Sequence, residues 1–411
     1  MVFDKPNSLI ARRIIEVLGS YGTPPEYGLK YFTVGIDTYL NVIEREYLNS
    51  YIKNGGATFK LVTGIYGGGK THFLYSIRDL AWKYDYATSY VSLSSNECPF
   101  AKLEQVYKGI VKNVTPPLRE EDLINGYQKG LRSFVKNWIG YKSKKFRSIN
   151  EGLDLENIKY LILEEVRSWE NIENTSFKKA MQKYIEALLN NKENEVDDIE
   201  QWLEEGIYLS NVHKRLGIGN KLDRYTAFSF IKSFVKCIEL MGYSGLIILF
   251  DEAEQIPSLS TKEKEQILSN LREIIDECNI NFRNVMFFYA IPDKDKLLDG
   301  RTSVYQALNQ RLSTVFKEFN PTGVEINLEN LNLEPLDFLR KLGFNLKEIY
   351  EIAYGVNLSE EIVSETIEDF SERVLEERHF DIGYKRRFVQ KIIQGFNYIK
   401  DKNRKPNYDE I

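Results

Sequence analysis

Apolar and polar positions repeat with two different periods along this chain, and the period changes several times. Apolar residues three and four positions apart predict helices, whereas short runs rich in β-branched and aromatic residues predict strands. The first quarter of the chain reads, in order, as a helix at 8–19, a helix at 36–53, a strand at 58–64, a helix at 70–84, a strand at 87–94 and a helix at 101–113. Strands that alternate with helices indicate an α/β protein with a parallel sheet.

Strand patterns then disappear over a long stretch and return later. Residues 115–221 show only helical periodicity, while GLIILFDE at 245–252 and NVMFFYAIPD at 284–293 are apolar runs typical of buried strands. A helix is expected at 261–278 and a short strand at 323–328. The predicted organisation is an N-terminal helical linker at 1–57, the first part of a core at 58–114, a helical insertion at 115–221, the second part of the core at 222–330 and a C-terminal helical lid at 331–411.

A glycine-rich segment joins the first predicted strand to its helix. Gly64 to Thr71 reads GIYGGGKT and fits the phosphate-loop pattern G-x-x-x-x-G-K-[ST], with a strand before it and a helix after it. Four glycines are more than a plain turn needs, so a ligand is expected to approach this backbone closely. The expected ligand is ATP, with Lys70 on its β- and γ-phosphates and Thr71 on Mg²⁺. The residues predicted to bind the nucleotide are Gly64, Tyr66, Gly67, Gly68, Gly69, Lys70, Thr71 and His72.

Two acids end the apolar run LIILFDEAE. Asp251 and Glu252 stand where a parallel strand presents its carboxyl end to a ligand. Asp251 is therefore predicted to hold Mg²⁺ together with Thr71, and Glu252 to act on the water that attacks the γ-phosphate. Taken alone, the pattern also fits a strand followed by an acidic turn. Glu254 is interpreted as a first-turn helix acid.

Composition restricts the class of protein. The net charge of −5 and pI near 5.6 do not suit a protein that coats nucleic acid by overall charge, so a local patch or assembly would have to contact DNA. The three cysteines are far apart, and no apolar segment reaches membrane-spanning length. The expectation is a cytoplasmic protein with no membrane partner.

The order of these parts resembles a known family. The segments LVTGIYGGGKTHFL, YVSLSSNECPFAKLEQVYKGIVKNV, LIILFDEAE and ALNQRL are similar to the BrxD family of ATP-binding proteins from bacteriophage-exclusion (BREX) defence systems. This resemblance implies an AAA+ ATPase related to origin-recognition and transposition ATPases, built on the core with an extra strand and a catalytic glutamate (ASCE). It also implies ATP hydrolysis at subunit interfaces of a homo-oligomer that acts on double-stranded DNA with other BREX proteins such as a helicase.

The resemblance further implies two catalytic arginines. Arg311 in ALNQRLS matches the arginine that reaches the γ-phosphate of a neighbouring subunit, with Arg301 as a weaker candidate. Arg386 in GYKRRF matches the lid arginine that senses the γ-phosphate in the same subunit, although Lys385 and Arg387 flank it. ATSYVSL, at 87–93, is expected to lie in the sheet between the phosphate loop and the acidic pair.

Three features leave alternatives open. The segment 289–293, YAIPD, lacks the Asn, Thr or Ser that AAA+ proteins place after the fourth strand, which favours a nucleotide-gated scaffold with little hydrolysis. Residues 142–147, KSKKFR, mix charge with an aromatic and suit either phosphate contact or a solvated basic loop. Tyr31 and Phe32 are candidates for adenine contact or for core packing.

Overall fold

The chain folds around one six-stranded sheet. A computed structural model describes residues 5–94, 98–207, 214–219, 221–253, 260–293, 303–331, 333–377 and 383–411. The strands are β1 Ala57–Thr63, β2 Ala87–Ser92, β3 Val114–Thr115, β4 Leu246–Asp251, β5 Val285–Ile291 and β6 Glu325–Asn327.

Helices make up most of the remaining described residues. The α-helices are α1 Ser8–Tyr21, α2 Asp37–Val42, α3 Lys70–Lys83, α4 Leu103–Lys112, α5 Glu120–Ile124, α6 Leu131–Ile149, α7 Leu155–Arg167, α8 Thr175–Leu189, α9 Glu193–Glu205, α10 Ala227–Leu240, α11 Thr261–Ile280, α12 Ser303–Leu312, α13 Pro335–Tyr354, α14 Glu360–Glu377 and α15 Tyr384–Lys402. A π-helical segment, Ile43–Tyr51, continues α2, and short 3₁₀ turns occur at Leu29–Tyr31 and Tyr408–Glu410.

The strand order is β3-β2-β4-β5-β1-β6, and every neighbouring pair is parallel except β2 with β3. Parallel strands joined by helices on both faces make this the mixed α/β fold of a phosphate-loop ATPase, as the sequence predicted.

The expected position of the second strand is wrong. β5, not β2, lies between β1 and β4, because Val285 pairs with both Ala57 and Leu246, while β2 pairs on the outer side of β4. All seven residues of β5 are buried and apolar or aromatic, which is typical of a central parallel strand covered on both faces. The polar Thr88 and Ser89 of β2 suit a place nearer the edge.

Alternate residues of the central strands enter two separate apolar clusters. Ile248 and Phe250 face the cluster that includes the helices of the insertion, whereas Ile247 and Leu249 face the cluster around α3. This period of two is the geometry of a strand. The sheet is therefore packed against apolar residues on both faces.

Two helical regions are attached to this sheet. Helices α5 to α9 form the region predicted as an insertion, and the segment 142–147 lies within α6 rather than in a loop. Helix α1 shares a third apolar cluster with α13, α14 and α15. The start of the described chain thus packs on its C-terminal helices.

Candidate nucleotide-binding site

The glycine-rich loop takes a backbone shape that only glycine adopts without strain. Gly67 has a φ of +70° and Gly69 a φ of +103°, both in the left-handed region. A Cβ on Gly67 would also lie 3.0 Å from the Cα of Gly383, at the start of the lid helix α15. The loop leads into α3 at Lys70, where the first N–H groups of the helix have no intrahelical acceptor and form an anion-binding end.

Lys70 is buried beneath this loop with only 5% of its surface exposed. Its Nζ donates hydrogen bonds to the carbonyl oxygens of Gly64, at 3.0 Å, and Ile65, at 3.2 Å. The ammonium group therefore lies at the centre of the loop, which suits contact with a bound phosphate.

Asp251 connects the loop to the end of β4. The Thr71 Oγ1 donates to Asp251 Oδ2 at 2.7 Å, and the Tyr90 hydroxyl donates to the same oxygen at 2.6 Å. The Glu252 N–H donates to Asp251 Oδ1 at 2.9 Å. Burial, followed by the charge of Asp251, raises the pKa of Tyr90, so its hydroxyl stays a donor. Thr71 and Asp251 thus offer adjacent oxygen ligands of the kind that Mg²⁺ prefers.

Glu252 is exposed to solvent and has an unusual backbone conformation. Its φ of +61° is in the left-handed region, which is strained for a residue with a side chain. Its carboxylate accepts a hydrogen bond from Ser92, the last residue of β2. The structure therefore brings Glu252 beside Asp251 and holds it through a neighbouring strand, a partner that the sequence pattern did not indicate.

A cavity of about 260 Å³ lies where the loop, the two acids, the N-terminal region and the C-terminal helices meet. All the predicted nucleotide-binding residues except Gly64 line it, together with Asp251 and Glu252. Its apolar part is lined by Leu18, Pro24, Phe32, Val34, Ile36, Leu328, Leu331, Phe338, Leu342 and Val389. The lining thus combines polar groups suited to phosphates with apolar groups suited to a base.

The two candidate aromatic residues differ in position. Phe32 lines the cavity, and its ring centroid lies 5.2 Å from that of His72. Tyr31 does not line it, and its hydroxyl donates to Glu120 at 3.4 Å.

His72 joins the N-terminal region to α3. Its Nε2 is 2.8 Å from Thr33 Oγ1. Burial, reinforced by the nearby Lys385 cation, lowers the pKa of His72 to about 4. The imidazole is therefore neutral near pH 7, and it contributes a polar contact and packing rather than positive charge.

The three basic residues at the start of α15 have different surroundings. Lys385 is 9% exposed and donates to the Gly68 carbonyl at 3.1 Å, while Arg386 donates to the Tyr21 carbonyl at 2.7 Å and to the Tyr66 hydroxyl at 3.2 Å. Both line the cavity. Arg387 forms an ion pair with Glu377 at 2.9 Å and does not line it.

Lys385 is thus a cavity residue that sequence reasoning mentioned only as a neighbour of Arg386. Burial lowers its pKa, against an opposing contribution from Glu329. Glu329 accepts a hydrogen bond from the Ile65 N–H at 3.3 Å, so its carboxylate lies against the loop, although it does not line the cavity. No local sequence signal distinguishes Lys385 from Arg386, because the phase of α15 decides which side chain faces the loop.

Arg311 is not brought to this cavity in its own chain. Its guanidinium forms a two-point ion pair with Asp276 on α11, at 2.7 and 3.2 Å, and donates to the Ala307 carbonyl at 2.8 Å. Arg301 and Glu254 lie outside the described residues.

Tyr289 does not supply the polar group that is expected after the fourth strand of an AAA+ core. That side chain is fully buried, and its ring centroid lies 4.9 Å from Phe100, 6.2 Å from Phe250 and 6.5 Å from Phe59. Tyr289 therefore packs in the core and does not reach the cavity.

Two kinds of feature are absent from the described residues. No helix among them is both long and apolar enough to cross a bilayer. Over the same part of the chain, no group of three or more His, Cys, Asp or Glu side chains is arranged to hold a metal ion.

A family model described as "BREX system ATP-binding protein BrxC/D" matches residues 7–410. Since the match covers nearly the whole chain, the protein belongs to this family of BREX ATP-binding proteins. No curated protein matches the chain.

Proposed function

We propose that this BREX protein is an AAA+ ATPase that binds and hydrolyses Mg-ATP at subunit interfaces, and that it assembles on double-stranded DNA or remodels complexes bound there. The observation that carries the proposal is the 2.7 Å hydrogen bond between Thr71, at the end of the phosphate loop, and Asp251, at the end of β4. It joins the two halves of an ATPase site across the intervening strand β5. The proposed partners are further copies of this chain and other BREX proteins such as a helicase, in the cytoplasm.

Different groups of the site are suited to the two chemical parts of the nucleotide, the triphosphate and the adenine ring. The N–H groups at the start of α3, the Lys70 ammonium and the two lid cations Lys385 and Arg386 are suited to the triphosphate. The apolar lining of the cavity, which includes Phe32 and Phe338, is suited to the adenine ring. Phosphate binding would draw Lys70 away from the loop carbonyls that it now contacts.

Thr71 and Asp251 are the proposed Mg²⁺ ligands, with phosphate and water oxygens completing the set. When bound, Mg²⁺ would neutralise charge on the β- and γ-phosphates. Tyr90 orients the Asp251 carboxylate by its hydrogen bond to Oδ2, which leaves the other oxygen of Asp251 with the Glu252 N–H.

Glu252 is the proposed group that orients and deprotonates the attacking water. Glu252 is exposed, lines the cavity beside Asp251, and accepts a hydrogen bond from the Ser92 hydroxyl on one of its carboxylate oxygens. To activate the attacking water, Glu252 must therefore exchange its hydrogen bond from Ser92 for one from that water. Arg311, paired in its own chain with Asp276, would serve the site of a neighbouring subunit and stabilise charge on the transferred phosphoryl group.

The decisive test separates binding from turnover. Lys70→Ala should lower ATP affinity at least tenfold, since it removes the buried cation at the centre of the loop, whereas Glu252→Gln should retain binding and lose nearly all hydrolysis. Isothermal titration would measure affinity and phosphate release would measure turnover, with and without duplex DNA. Glu151→Gln, an exposed acid outside the site, is the matched control. Wild-type affinity in Lys70→Ala would contradict the site.

A second candidate function is a nucleotide-gated DNA-binding scaffold that hydrolyses little. The buried position of Tyr289 favours it, because this residue cannot orient water. In that case the wild-type protein would bind ATP but release phosphate no faster than Glu252→Gln, both with and without DNA.

A further inference from the structure

Helix α6 has an unusual charge composition for this chain. Its nineteen residues contain six cations and no acid, whereas the whole chain carries a net charge of −5. The cations are Arg132, Lys136, Lys142, Lys144, Lys145 and Arg147. A helix this basic in an acidic protein is expected to have an acidic partner, either inside the chain or outside it.

Only two of the six cations have an internal partner among the described residues. Arg132 pairs with acids of α9, including Glu200 at 2.9 Å, and Lys142 pairs with Glu165 on α7. The other four, Lys136, Lys144, Lys145 and Arg147, are exposed and form no ion pair with any residue that the structure describes.

Three of these cations lie together on one side of the helix, and Lys145 lies about 100° round the axis from Lys144. Lys136, Gly140, Lys144 and Arg147 are spaced by three or four residues and form one row, and Asn137, Tyr141, Lys145 and Ser148 form the adjacent row. We call these eight residues the basic face of α6. At 1.5 Å per residue, Lys136 and Arg147 are about 16 Å apart along the helix axis.

Gly140 leaves an opening in the middle of this face. A Cβ at this position would have no other atom within 4 Å, so packing inside the chain does not require glycine. Glycine in a helix interior costs about 1 kcal/mol relative to alanine. The opening allows a ligand backbone to come close to the helix between Lys136 and Lys144.

The composition of the face favours nucleic acid over a protein partner. Protein interfaces have an apolar centre, but this face has no aliphatic side chain. Its one large ring, Tyr141, is 58% exposed and stands between the cations, as in surfaces that contact sugars and bases beside a phosphate backbone. A row of cations along one helix also suits the regular phosphates of a duplex.

We propose that the basic face of α6 is the surface through which this protein binds the phosphate backbone of double-stranded DNA. The proposal deepens the DNA association proposed above and requires neither ATP binding nor hydrolysis.

The test is the affinity of the full chain, without nucleotide, for a fluorescent duplex of about two helical turns, measured by anisotropy over a series of salt concentrations. One variant combines Lys136→Gln, Lys144→Gln and Arg147→Gln. Its matched control combines Lys53→Gln, Lys179→Gln and Lys402→Gln, three exposed lysines elsewhere that form no ion pair with the described residues. Both variants change the net charge equally.

The α6 variant should bind the duplex at least tenfold more weakly at about 100 mM salt. Its slope of log affinity against log salt should become shallower by about 3, since each phosphate that the protein no longer neutralises reduces the slope by about 0.9. The control should stay within about twofold of wild type. Gly140→Leu, which keeps all charges and whose Cβ would have no other atom within 4 Å, should also weaken binding.

Three results would overturn the proposal. The α6 variant and its control could bind the duplex equally weakly, or the α6 variant could bind it as tightly as wild type. The third result is displacement of the fluorescent duplex by polyglutamate at a lower concentration of charge than unlabelled duplex requires. The last would assign the face to an acidic protein. Unchanged melting temperatures of the variants would show that they are folded. Duplex binding by wild type and by Lys70→Ala alike would show that DNA binding does not depend on the nucleotide site, so the α6 variant tests this surface even if ATP hydrolysis failed.

Discussion

At the scale of single residues, the phosphate loop is contacted by two buried lysines from distant parts of the chain. Lys70 donates to the carbonyls of Gly64 and Ile65, and Lys385 donates to the carbonyl of Gly68. A buried ammonium needs acceptors, and the loop carbonyls supply them. Both cations are therefore already next to the proposed phosphate site.

We expect Lys385→Ala to weaken ATP binding about tenfold, because it removes a desolvated cation that lines the cavity. Arg386→Ala should have a smaller effect, since its guanidinium already bonds to the Tyr21 carbonyl and the Tyr66 hydroxyl. Titration with a fluorescent ATP analogue measures both. Arg387→Ala, outside the cavity, is the control, and equal affinities for Lys385→Ala and Arg387→Ala would contradict the role of Lys385.

How well the site residues could be predicted depends on how local their signals are. Gly64 to Thr71 form a continuous motif, and Asp251 is the last residue of a buried strand, so both regions could be identified from the sequence alone. Tyr90, Ser92 and Lys385 could not, because they reach the site through strand pairing and helix packing, which no short pattern encodes. The roles of the proposed site residues remain predictions.

At the scale of elements, strand β1 contains a fully buried lysine. The Lys60 Nζ donates to the Tyr47 hydroxyl at 2.7 Å and to the carbonyls of Gly323, at 2.6 Å, and Pro321, at 3.0 Å. It thereby fixes the turn before β6, which carries Phe319 with 95% of its surface exposed. Burial lowers the pKa of Lys60 to about 7.

This pKa predicts a pH-dependent stability. Since the unfolded state has a Lys60 pKa near 10.5, it binds more protons than the folded state between pH 7 and pH 10.5. Lys60 should therefore make the free energy of unfolding rise with pH over this range, and Lys60→Met should remove this part of the rise. Urea unfolding at several pH values across this range measures it, with exposed Lys53→Met as the control. Identical slopes in wild type and Lys60→Met would contradict the assignment.

The same scale shows where sequence reasoning about the fold succeeded and where it failed. The strands at 58–64 and 245–252 were expected within one or two residues of their observed bounds, because their apolar patterns are strong. The predicted position of β2 in the sheet was wrong, since strand order depends on pairing between distant segments. The unbroken apolar run of β5 was the available signal for a central strand.

At the scale of the whole molecule, the cavity combines residues from the sheet, the N-terminal helix and the lid. Leu18 of α1 and Leu342 of α13 line it together with the phosphate loop. Because α1 shares one apolar cluster with α13, α14 and α15, a movement of these C-terminal helices is expected to carry α1 with it. In contrast, Arg311 pairs with Asp276 within its own chain, so under the proposed mechanism this cation would have to come from a neighbouring subunit.

Mixing of inactive variants tests that shared site. Arg311→Ala and Glu252→Gln should each lose turnover alone, but an equal mixture should recover roughly a quarter of the wild-type rate, since random assembly gives about one interface in four with both intact groups. Phosphate release measures recovery, and light scattering with ATP checks that mixed assemblies form. The absence of recovery in assemblies that do form would exclude action of Arg311 between subunits.

The left-handed backbone at Glu252 has a consequence for redesign. Glycine would relax this position, as the conformation is strained for any residue with a Cβ. A programme that selects substitutions by backbone preference alone would therefore choose this position early, and it would delete the carboxylate proposed to drive hydrolysis. In this protein, greater robustness to heat and loss of turnover could be obtained with the same single replacement.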